Sequence, residues 1–446
     1  MKKVTVVGAG LVGSLLSIYL AKRGYKVQLF ERRPDMRKAS ISVGKSINLA
    51  LSDRGWKGLE GVGIADEIKK IAIPMYGRYI HNKDGSSAFQ PYGKKDQAIY
   101  SVSRGGINMK LMDLAEKQAN VSIAFDERCT DTNKKTGRAT FENNNSKKIT
   151  TVDSDLVFGA DGAFSAVRLQ MQLANDRFNY QQFYIEAGYK ELTIPAGPSG
   201  SFVIEKNALH IWPRGSFMMI ALPNFDGSFT CTLFFQMEGS KSFAALKTKE
   251  DVKQFFEIEF PDAITLMPTL VEDFFNNPTS SLVTVKCFPW TFESKVALIG
   301  DAAHAIVPFY GQGMNCGFED CVVLNGLVDK YKENWPEIFK EYEVLRKPDG
   351  DAIADLAIAN FVEMRDKTAD KKFLLQKKIE AKFSEKYPDK WTPLYSMVTY
   401  RTDIRYSTAL KEGQKQEAVM QKIMSITDIE KKWDSEEVEK EILKMI

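Results

Sequence analysis

The sequence predicts an α/β fold in which a Rossmann-like domain is interrupted by an inserted, mixed and largely antiparallel β-sheet domain and followed by a C-terminal helical region. Three observations support this prediction: a GxGxxG turn between an apolar run and a helix near the N-terminus, two later strand ends marked by aspartate and glycine, and a long middle stretch of short alternating segments. At 446 residues the chain is longer than one hydrophobic core usually supports, so more than one domain is expected.

The chain opens with a βαβ unit. Residues 4–7 form the β-branched run VTVV, which is typical of a buried parallel strand, and residues 11–22 predict the helix that follows it. Residues 27–30 predict a second strand, and Glu31 stands directly after that strand. Such a unit is the first part of a nucleotide-binding sheet.

Gly8, Gly10 and Gly13 form the GxGxxG motif between the first strand and the first helix. Its glycines allow a tight turn, a close approach of the backbone to a pyrophosphate and a close contact between helix and strand. Glu31 lies 21 residues after Gly10, where an acid accepts hydrogen bonds from a ribose diol. With a strand before it and a helix after it, the motif predicts a bound dinucleotide.

The predicted nucleotide-binding sheet is interrupted twice. Between residues 73 and 100 alternating segments and turn formers replace the βα rhythm, which returns with a helix at 104–118 and a strand at 121–125. The second interruption, residues 179–288, holds short alternating segments that predict a mixed, largely antiparallel sheet, suited to the floor of a ligand pocket. Its predicted strands are residues 189–194, 208–212, 217–222 and 229–235.

Two later strand ends carry an aspartate beside a glycine. Asp161 follows an apolar run, and Asp301 follows a strand predicted at 295–299. Aspartate also caps helices, so the turn at Asp161 is not specific by itself. After Asp301 the run GQGMN at 311–315 predicts a second glycine-rich helix start, which can stabilise negative charge. The order of these motifs indicates FAD, with Asp301 on the ribityl hydroxyls.

The predicted domain boundaries follow from the two interruptions. The FAD-binding domain is discontinuous and comprises residues 1–73, 99–178 and 288–340, whereas the substrate-binding sheet domain comprises residues 74–98 and 179–287. Residues 341–446 form the C-terminal helical region, in which charged amphipathic helices are predicted around 371–383 and 411–424, and a capped segment from about residue 434.

Composition narrows the classes of function. The net charge of +3 argues against nucleic acid as a partner. Five cysteines without a CxxC pair or a zinc-ligand spacing indicate neither a disulfide framework nor a metal site, and they fit a reducing cytoplasm. No stretch approaches the roughly 20 apolar residues that span a bilayer. We therefore expect a soluble, cytoplasmic protein without an integral membrane anchor.

Seven segments carry a resemblance that goes beyond the glycine motifs: GKSINLALS at 44–52, QPYG at 90–93, HIWP at 210–213, MIALPN at 219–224, IVPFYGQGMN at 306–315, NFVEMR at 360–365 and LYSMVT at 394–399. With them the chain resembles the FAD-dependent aromatic hydroxylases of the para-hydroxybenzoate hydroxylase type, which belong to the GR2 class of Rossmann-like flavoproteins. Within that family it is most similar to the branch that hydroxylates kynurenine. The resemblance runs from residue 1 to about residue 410 and is far more specific than the glycine motifs.

The resemblance implies a flavin-dependent monooxygenase that converts L-kynurenine to 3-hydroxy-L-kynurenine in tryptophan catabolism and NAD biosynthesis. It implies tightly bound, non-covalent FAD, NADPH as a transient co-substrate, and O2, which adds to the reduced flavin to give a C4a-hydroperoxide that the ring attacks. The aromatic amine of kynurenine already pushes electron density into the ring. A strong side-chain base is therefore less necessary, which suits a chain with three histidines.

The resemblance also implies the residues of the site, with no metal among their ligands. Residues implied to line the FAD, together with the three glycines of the first motif, are Val12, Glu31, Arg32, Arg33, Ala50, Arg104, Cys129, Asp161, Ala166, Asp301, Gly313, Met314 and Asn315. Residues implied to hold the amino-acid end of the substrate are Arg78, Tyr92, Asn360 and Tyr395. Residues implied to form an apolar wall over the aromatic ring are Leu209, Ile220, Leu222, Phe234, Phe309 and Tyr310.

Gln312 is the catalytic residue that the resemblance implies, because it would hydrogen-bond near the peroxide or the carbonyl of the substrate. A guanidinium such as that of Arg78 can bind a carboxylate with two parallel hydrogen bonds, which agrees with its implied role. Ile220 and Leu222 fit a plain hydrophobic core as well as a substrate wall.

Other interpretations of the sequence remain. The nearest is a hydroxylase of the same fold that acts on another aromatic acid. A disulfide reductase would share the GxGxxG turn, yet Cys316 and Cys321 lie about 300 residues after it and are expected to be structural. A flavin-binding redox sensor would also share that turn. The sequence leaves open the choice between NADPH and NADH and the oligomeric state, with a homodimer as one option.

Overall fold

A six-stranded sheet forms the nucleotide-binding layer of the molecule. The computed structural model describes residues 2–38, 47–92, 97–173, 177–364 and 370–446. Five strands of this sheet are parallel, and a short sixth strand at one edge is antiparallel. Its members are β1 (Lys3–Val7), β2 (Lys26–Phe30), β8 (Val121–Ala124), β12 (Leu156–Gly159), β18 (Thr291–Phe292) and β19 (Val296–Leu298). They lie in the order β18-β19-β12-β1-β2-β8. Strand β12 therefore lies between β1 and β19.

The nucleotide-binding layer is completed by helices on the sheet and by two small three-stranded sheets. The helices are α1 (Leu11–Lys22), α2 (Asp53–Glu60), α3 (Ala65–Lys69), α4 (Arg104–Glu116), α5 (Ala166–Leu173), α9 (Asp301–His304) and α10 (Gly313–Tyr331). One small sheet consists of β3 (Asn48–Leu51), β4 (Ile73–Met75) and β7 (Ile99–Ser103), and the other of β9 (Glu127–Asn133), β10 (Arg138–Asn143) and β11 (Ile149–Asp153). Residues 144–148 join β10 and β11, which form an antiparallel hairpin.

A seven-stranded sheet forms the second layer. Its strands are β5 (Gly77–His81), β6 (Ser87–Pro91), β13 (Asn179–Ile194), β14 (Ala208–Pro213), β15 (Met218–Pro223), β16 (Phe229–Gln236) and β17 (Ser280–Phe288). All neighbours are antiparallel except β14 and β5, which are parallel. The α/β fold class with a mixed, largely antiparallel second sheet is thus confirmed. This sheet draws its strands from two separate stretches of the chain.

One part of the second layer differs from the sequence-based prediction, which placed only short strands in this region. Three helices, α6 (Lys249–Glu259), α7 (Pro261–Ile264) and α8 (Leu270–Asn276), cover the back of the seven-stranded sheet. Helix α6 starts at a capping box, in which the Thr248 hydroxyl accepts from the Asp251 amide and the Asp251 carboxylate accepts from the Thr248 amide. Phe256 and Phe260 bury fully against the sheet and hold these helices in place.

The C-terminal region is helical, as the sequence predicts. It contains α11 (Trp335–Val362), α12 (Lys371–Lys386), α13 (Leu394–Thr399), α14 (Tyr406–Ile423), α15 (Ile429–Lys432) and α16 (Glu436–Met445). Buried residues of its last part, from α12 onward, form a small core that includes Phe383, Trp391 and Met420, whereas α11 and α13 pack into the cores of the other layers. Within the described ranges, every helix is too short or too polar to cross a bilayer. The exact domain boundaries given above stay a prediction.

Candidate active site

A large cavity lies between the nucleotide-binding sheet and the seven-stranded sheet. Its volume is about 2120 Å³, and residues from both sheets line it. Pockets for one drug-sized ligand usually have about 300–1,000 Å³, so this cavity has room for a dinucleotide and a second small molecule. The site below is built from the residues that line this cavity and from those that hold them.

The GxGxxG turn forms one end of the cavity and shows why each glycine is needed. Gly8 has a φ of +102°, and a Cβ on Gly13 would lie 2.0 Å from the carbonyl oxygen of Gly8. A Cβ on Gly10 would meet no protein atom within 4 Å, because Gly10 faces the cavity. The amide groups at the start of α1 also face this space. This arrangement suits a pyrophosphate at a helix N-terminus.

Glu31 is buried beside this turn. Its carboxylate accepts hydrogen bonds from the amide of Ala9 at 2.9 Å and from Nε of Arg33 at 2.8 Å. Burial raises the pKa of Glu31, but the hydrogen bonds and the charge of Arg33 outweigh burial and bring it below its usual value. Arg32 and Arg33 line the cavity next to it. An ionised acid is therefore available to a ribose diol at this end.

Asp161 and Asp301 line the cavity at the ends of two neighbouring strands. Oδ2 of Asp161 caps α5 by accepting from the amide of Ala166 at 2.6 Å. Its Oδ1 is buried and has no hydrogen-bond partner among the described residues. Burial raises the pKa of both aspartates, and the charges of Arg104 and His304 oppose the rise at Asp301. A buried acceptor without a donor fits a hydroxyl-bearing ligand such as FAD.

The start of α10 borders the same part of the cavity. Gly311 has a φ of +65°, and Gly313 and Met314 line the cavity. Asn315 lies behind them: its Oδ1 accepts from the amide of Ser52 at 3.0 Å, and its Nδ2 donates to the carbonyl of Ala50 at 2.9 Å. Asn315 thus fixes the helix start against β3, and the positive end of the α10 dipole points at the cavity.

An apolar wall covers the opposite side of the cavity. It is formed by one face of the seven-stranded sheet and by the loop before α10. The wall residues predicted from the sequence all line the cavity: Leu209, Ile220, Leu222, Phe234, Phe309 and Tyr310. The rings of Phe234 and Phe309 lie 4.8 Å apart, and Phe309 packs on Phe361 at 4.3 Å. Aromatic packing of this kind keeps the wall rigid and water-poor.

Arg78 stands at the edge of the apolar wall. Its Cζ lies 4.8 Å from the ring centroid of Tyr395 and 5.6 Å from that of Tyr92. Burial lowers the pKa of Arg78, but the neighbouring tyrosines and Glu363 more than offset this, so Arg78 stays charged. Within the described residues, Nε of Arg78 and the hydroxyl of Tyr92 are buried without a hydrogen-bond partner. A buried cation with an unpaired Nε donor fits an anionic ligand group.

Five predicted site residues do not line the cavity. Gly13, Tyr92 and Asn315 pack directly behind the lining residues. Asn360 donates from Nδ2 to the carbonyl of Phe309 at 2.6 Å, so it holds the wall loop. The Oε1 of Gln312 accepts from the hydroxyl of Tyr406 at 2.9 Å and lies 3.5 Å from Oγ of Ser52. Through these contacts the buried Gln312 links the start of α10 to α14. The catalytic role of Gln312 stays a prediction.

The remaining predicted FAD residues, Val12, Ala50, Arg104, Cys129 and Ala166, all line the cavity. Three predicted motif segments extend beyond the described part of the chain, at Gly44, Lys45, Ser46, Gly93 and Arg365. The structure also brings in polar residues that sequence analysis missed. Thr230 and Thr232 line the cavity on the same face of β16 as Phe234. The period of two along this predicted strand was the signal that could have found them.

Sequence analysis also missed a buried network of charged residues under the turn at residues 300–301. Asp320 accepts from the amide of Gly300 at 3.1 Å, from Nε2 of His304 at 2.6 Å and from Nε of Arg346 at 2.7 Å. Burial lowers the pKa of His304, but Asp320 and Cys316 outweigh burial and raise it well above its usual value. His304, Cys316 and Asp320 lie close enough to hold a metal ion, yet Arg346 already occupies the carboxylate of Asp320 and contacts the thiol of Cys316.

Comparison with known proteins identifies the family of this chain. The FAD binding domain family matches residues 1–357. The chain is 52% identical to a kynurenine 3-monooxygenase of Flavobacterium johnsoniae over 444 residues, which cover 100% of this chain and 98% of the relative. The chain belongs to the kynurenine 3-monooxygenase family. The family extends to a eukaryote, since the chain is also 46% identical to a kynurenine 3-monooxygenase of Dictyostelium discoideum, covering 96% of this chain and 94% of that relative.

Membership of the kynurenine 3-monooxygenase family makes the protein an FAD-dependent monooxygenase. Solved structures show the same fold at lower identity. A 2-methyl-3-hydroxypyridine-5-carboxylic acid oxygenase superimposes with a TM-score of 0.66 at 20% identity and covers 84% of this chain and 95% of its own. PqsL of P. aeruginosa, solved with 2-aminobenzoylacetate, superimposes with a TM-score of 0.66 at 17% identity. The match covers 82% of this chain and 97% of the PqsL chain.

The family assignment also bears on the cysteines that suggested a disulfide reductase. Cys316 and Cys321 are free, buried thiols, and both lie inside α10. Burial raises the pKa of each thiol. A reactive redox pair needs accessible sulfur with a lowered pKa, so these cysteines are structural residues of a kynurenine 3-monooxygenase family protein.

Proposed function

We propose that this protein hydroxylates L-kynurenine to 3-hydroxy-L-kynurenine with NADPH and O2. The observation that carries the proposal is Arg78, a cation whose buried Nε has no partner among the described residues and which lies against two stacked tyrosine rings at the edge of an apolar wall. An aromatic amino acid presents both a carboxylate and an apolar ring. The names of the relatives, which cover nearly the whole chain at about half identity, support the same substrate.

In the proposed complex, Arg78 binds the carboxylate of the substrate through paired hydrogen bonds. The hydroxyls of Tyr92 and Tyr395 would orient the amino-acid end. The ring would then lie against Ile220 and Phe234, on the side of the cavity that faces the start of α10. Fixing both ends of the substrate in this way holds one ring carbon toward the flavin.

FAD is the cofactor that the lining residues fit, with Glu31 at the ribose, the α1 N-terminus at the pyrophosphate and Asp301 at the ribityl chain. Bound FAD supplies the transfer of electrons from the nicotinamide and the activation of O2. The positive end of α10, at Gly313 and Met314, would stabilise negative charge on a group bound next to it. The aromatic wall around Phe309 excludes water from the reacting atoms.

No strong base is required of the protein in this proposal. The aromatic amine of kynurenine supplies electron density to the ring, and within the described residues no histidine lines the cavity. NADPH as the electron donor, a homodimer and a cytoplasmic location complete the proposal, and each of them remains to be measured.

The test uses purified protein with its bound flavin. NADPH oxidation is followed with and without L-kynurenine, and 3-hydroxykynurenine and hydrogen peroxide are quantified in the same samples. We expect L-kynurenine to stimulate NADPH oxidation and to yield product in matching amount. Stimulated oxidation that gives only hydrogen peroxide would mean that kynurenine is an effector, and hydroxylation of another aromatic acid would identify the alternative substrate.

A further inference from the structure

Arg54, in α2, is a fully buried arginine that makes most of its hydrogen bonds to one distant segment. It is 1% exposed. Its Nε donates to the carbonyl of Val398 at 2.7 Å. Its Nη2 donates to the carbonyls of Met397 at 3.2 Å, Arg401 at 3.0 Å and Ile404. Four backbone acceptors of a segment about 345 residues away thus converge on one guanidinium.

The charge of Arg54 is balanced in the same place. Nη1 donates to the carboxylate of Glu319 on α10, and the guanidinium lies 4.0 Å from the ring centroid of Tyr406 on α14. The hydroxyl of Tyr406 donates in turn to Gln312, at the start of α10. A buried guanidinium is stable only when its donors and its charge are satisfied, and these contacts meet both conditions.

The segment that Arg54 binds follows Tyr395, which lines the candidate substrate site. Helix α13 has only six residues and starts at Leu394, so Tyr395 lies in its first turn. The carbonyls of Met397 and Val398 belong to its last turn, where carbonyl groups have no partner within a helix. Arg54 caps that end. A helix this short moves as a unit, so holding its C-terminal carbonyls also fixes the position of Tyr395.

We propose that Arg54 is a positioning residue, which sets the ring of Tyr395 against Arg78 by anchoring α13 to α2. Arg54 itself does not touch the cavity, so it acts through the segment that it binds. The proposal rests on the proposed function, because Tyr395 is assigned to the substrate there. The consequence for the reaction is a loss of substrate affinity and of coupling when Arg54 is changed, while FAD stays bound.

The central variant is Arg54→Lys, since a lysine ammonium keeps the charge but cannot present the planar fork that reaches several carbonyls at once. The matched control is Arg401→Lys, in the same segment, whose exposed side chain forms an ion pair with Asp403. FAD content is read from visible absorbance, and KM, kcat and the hydrogen peroxide fraction are read with L-kynurenine. We expect Arg54→Lys to retain its FAD, to raise KM about tenfold with a smaller change in kcat, and to release more peroxide. The control should match the parent protein.

Unchanged KM and coupling in Arg54→Lys would overturn the proposal, and so would a loss of FAD that parallels the loss of activity. A second measurement needs no substrate: hydrogen exchange on the FAD-bound protein, where the amides of residues 397–404 should exchange faster in Arg54→Lys and the six-stranded sheet should not change. If the parent protein does not hydroxylate kynurenine, the proposed function fails while this measurement still decides the role of Arg54. If Arg54→Lys does not fold, Arg54→Gln decides, because it removes the same set of donors: faster exchange of residues 397–404 supports the anchor, and unchanged exchange refutes it.

Discussion

The rings of Tyr92 and Tyr395 stack with their centroids 5.3 Å apart and their planes within 11° of each other. The two residues come from opposite ends of the chain, and the guanidinium of Arg78 lies against both rings. Stacked phenols beside a cation form a recognition surface of fixed geometry rather than a flexible patch. Because Tyr395 also stacks on Tyr310 at 5.7 Å, this surface is continuous with the apolar wall.

Arg78→Lys tests this surface. Lysine keeps the charge but loses the paired hydrogen bonds to a carboxylate, so we expect KM for L-kynurenine to rise by about 10- to 100-fold with a smaller fall in kcat. Steady-state kinetics with measured FAD content would show the change. Arg138→Lys, at an exposed ion pair with Asp153, is the control and should leave both constants unchanged. An unaltered KM in Arg78→Lys would remove Arg78 from substrate binding.

Alanine substitutions at Gly10 and Gly13 of the first motif should affect FAD binding and stability differently. Gly10→Ala adds a methyl group where no protein atom lies within 4 Å, so the protein should fold and melt normally without cofactor but bind FAD at least about tenfold more weakly. Gly13→Ala places Cβ 2.0 Å from the carbonyl of Gly8, so it should lose both stability and FAD. Gly326→Ala, which also meets nothing within 4 Å, is the control. Equal effects of Gly10→Ala and Gly13→Ala on melting temperature would contradict this distinction.

His210 should make the stability of the protein depend on pH. Burial, with a smaller effect of His81, lowers the pKa of His210 to about 4, although the hydrogen bond to the Glu205 carbonyl opposes the shift. Between pH 6.5 and about 4 the unfolded chain binds a proton that the folded protein does not, so the free energy of unfolding should fall as pH drops through this range, by about 3 kcal/mol. Below about pH 4 this contribution should stop changing.

Urea unfolding at several pH values measures this dependence. The variant His210→Gln keeps a donor for the Glu205 carbonyl but does not titrate, so its stability should decline less between pH 6.5 and 4 than that of the parent protein. The control Lys206→Gln changes an exposed residue close to His210 in the sequence. If His210→Gln and the parent protein lose stability in parallel, His210 is not the group responsible.

Asp320→Asn should be strongly destabilising. Burial raises the pKa of Asp320, but His304 and Arg346 outweigh burial, so the carboxylate is ionised and balances two buried cations. Removing its charge leaves His304 without its carboxylate partner and Arg346 with only the carboxylates of Glu319 and Asp349 among the described residues, so we expect a loss of about 3 kcal/mol in the free energy of unfolding. Asp153→Asn, at an exposed ion pair, should leave it nearly unchanged. Similar losses in the two variants would show that the network does not carry this charge balance.

Local sequence patterns predicted the nucleotide-binding layer well, because its strands and turns have sequence signals that are only a few residues long. The β-branched run before Gly8 and the helix after it occupy the predicted positions. The middle of the chain was harder. Strand β13 spans sixteen residues, but only its last six were predicted, since its polar first half gains its order from pairing with β17. Helices α6 to α8 were missed although the Thr248 and Asp251 capping box was present in the sequence.

The residues of the candidate site were harder to predict from local sequence patterns than the elements of the fold. The cofactor end could be read from GxGxxG and Glu31, where spacing along the chain fixes the geometry. Arg78 has no such signal, because its partners come from residues 92 and 395, and only the family resemblance indicated it. Arg54 could not be found by either route. It binds backbone carbonyls, which every residue has, so no pattern of side chains marks its target.

The position of β12 between β19 and β1 has a consequence for synthesis of the chain. Once residues 1–160 have emerged from the ribosome, β1, β2, β8 and β12 can pair, but one edge of β12 stays unpaired until Val296–Leu298 emerges. In the interval the whole of β13 to β17 must be made, and those strands form a separate sheet. An open, apolar strand edge is prone to wrong pairing. We therefore expect the nascent chain to depend on chaperones most strongly while its middle third is being translated.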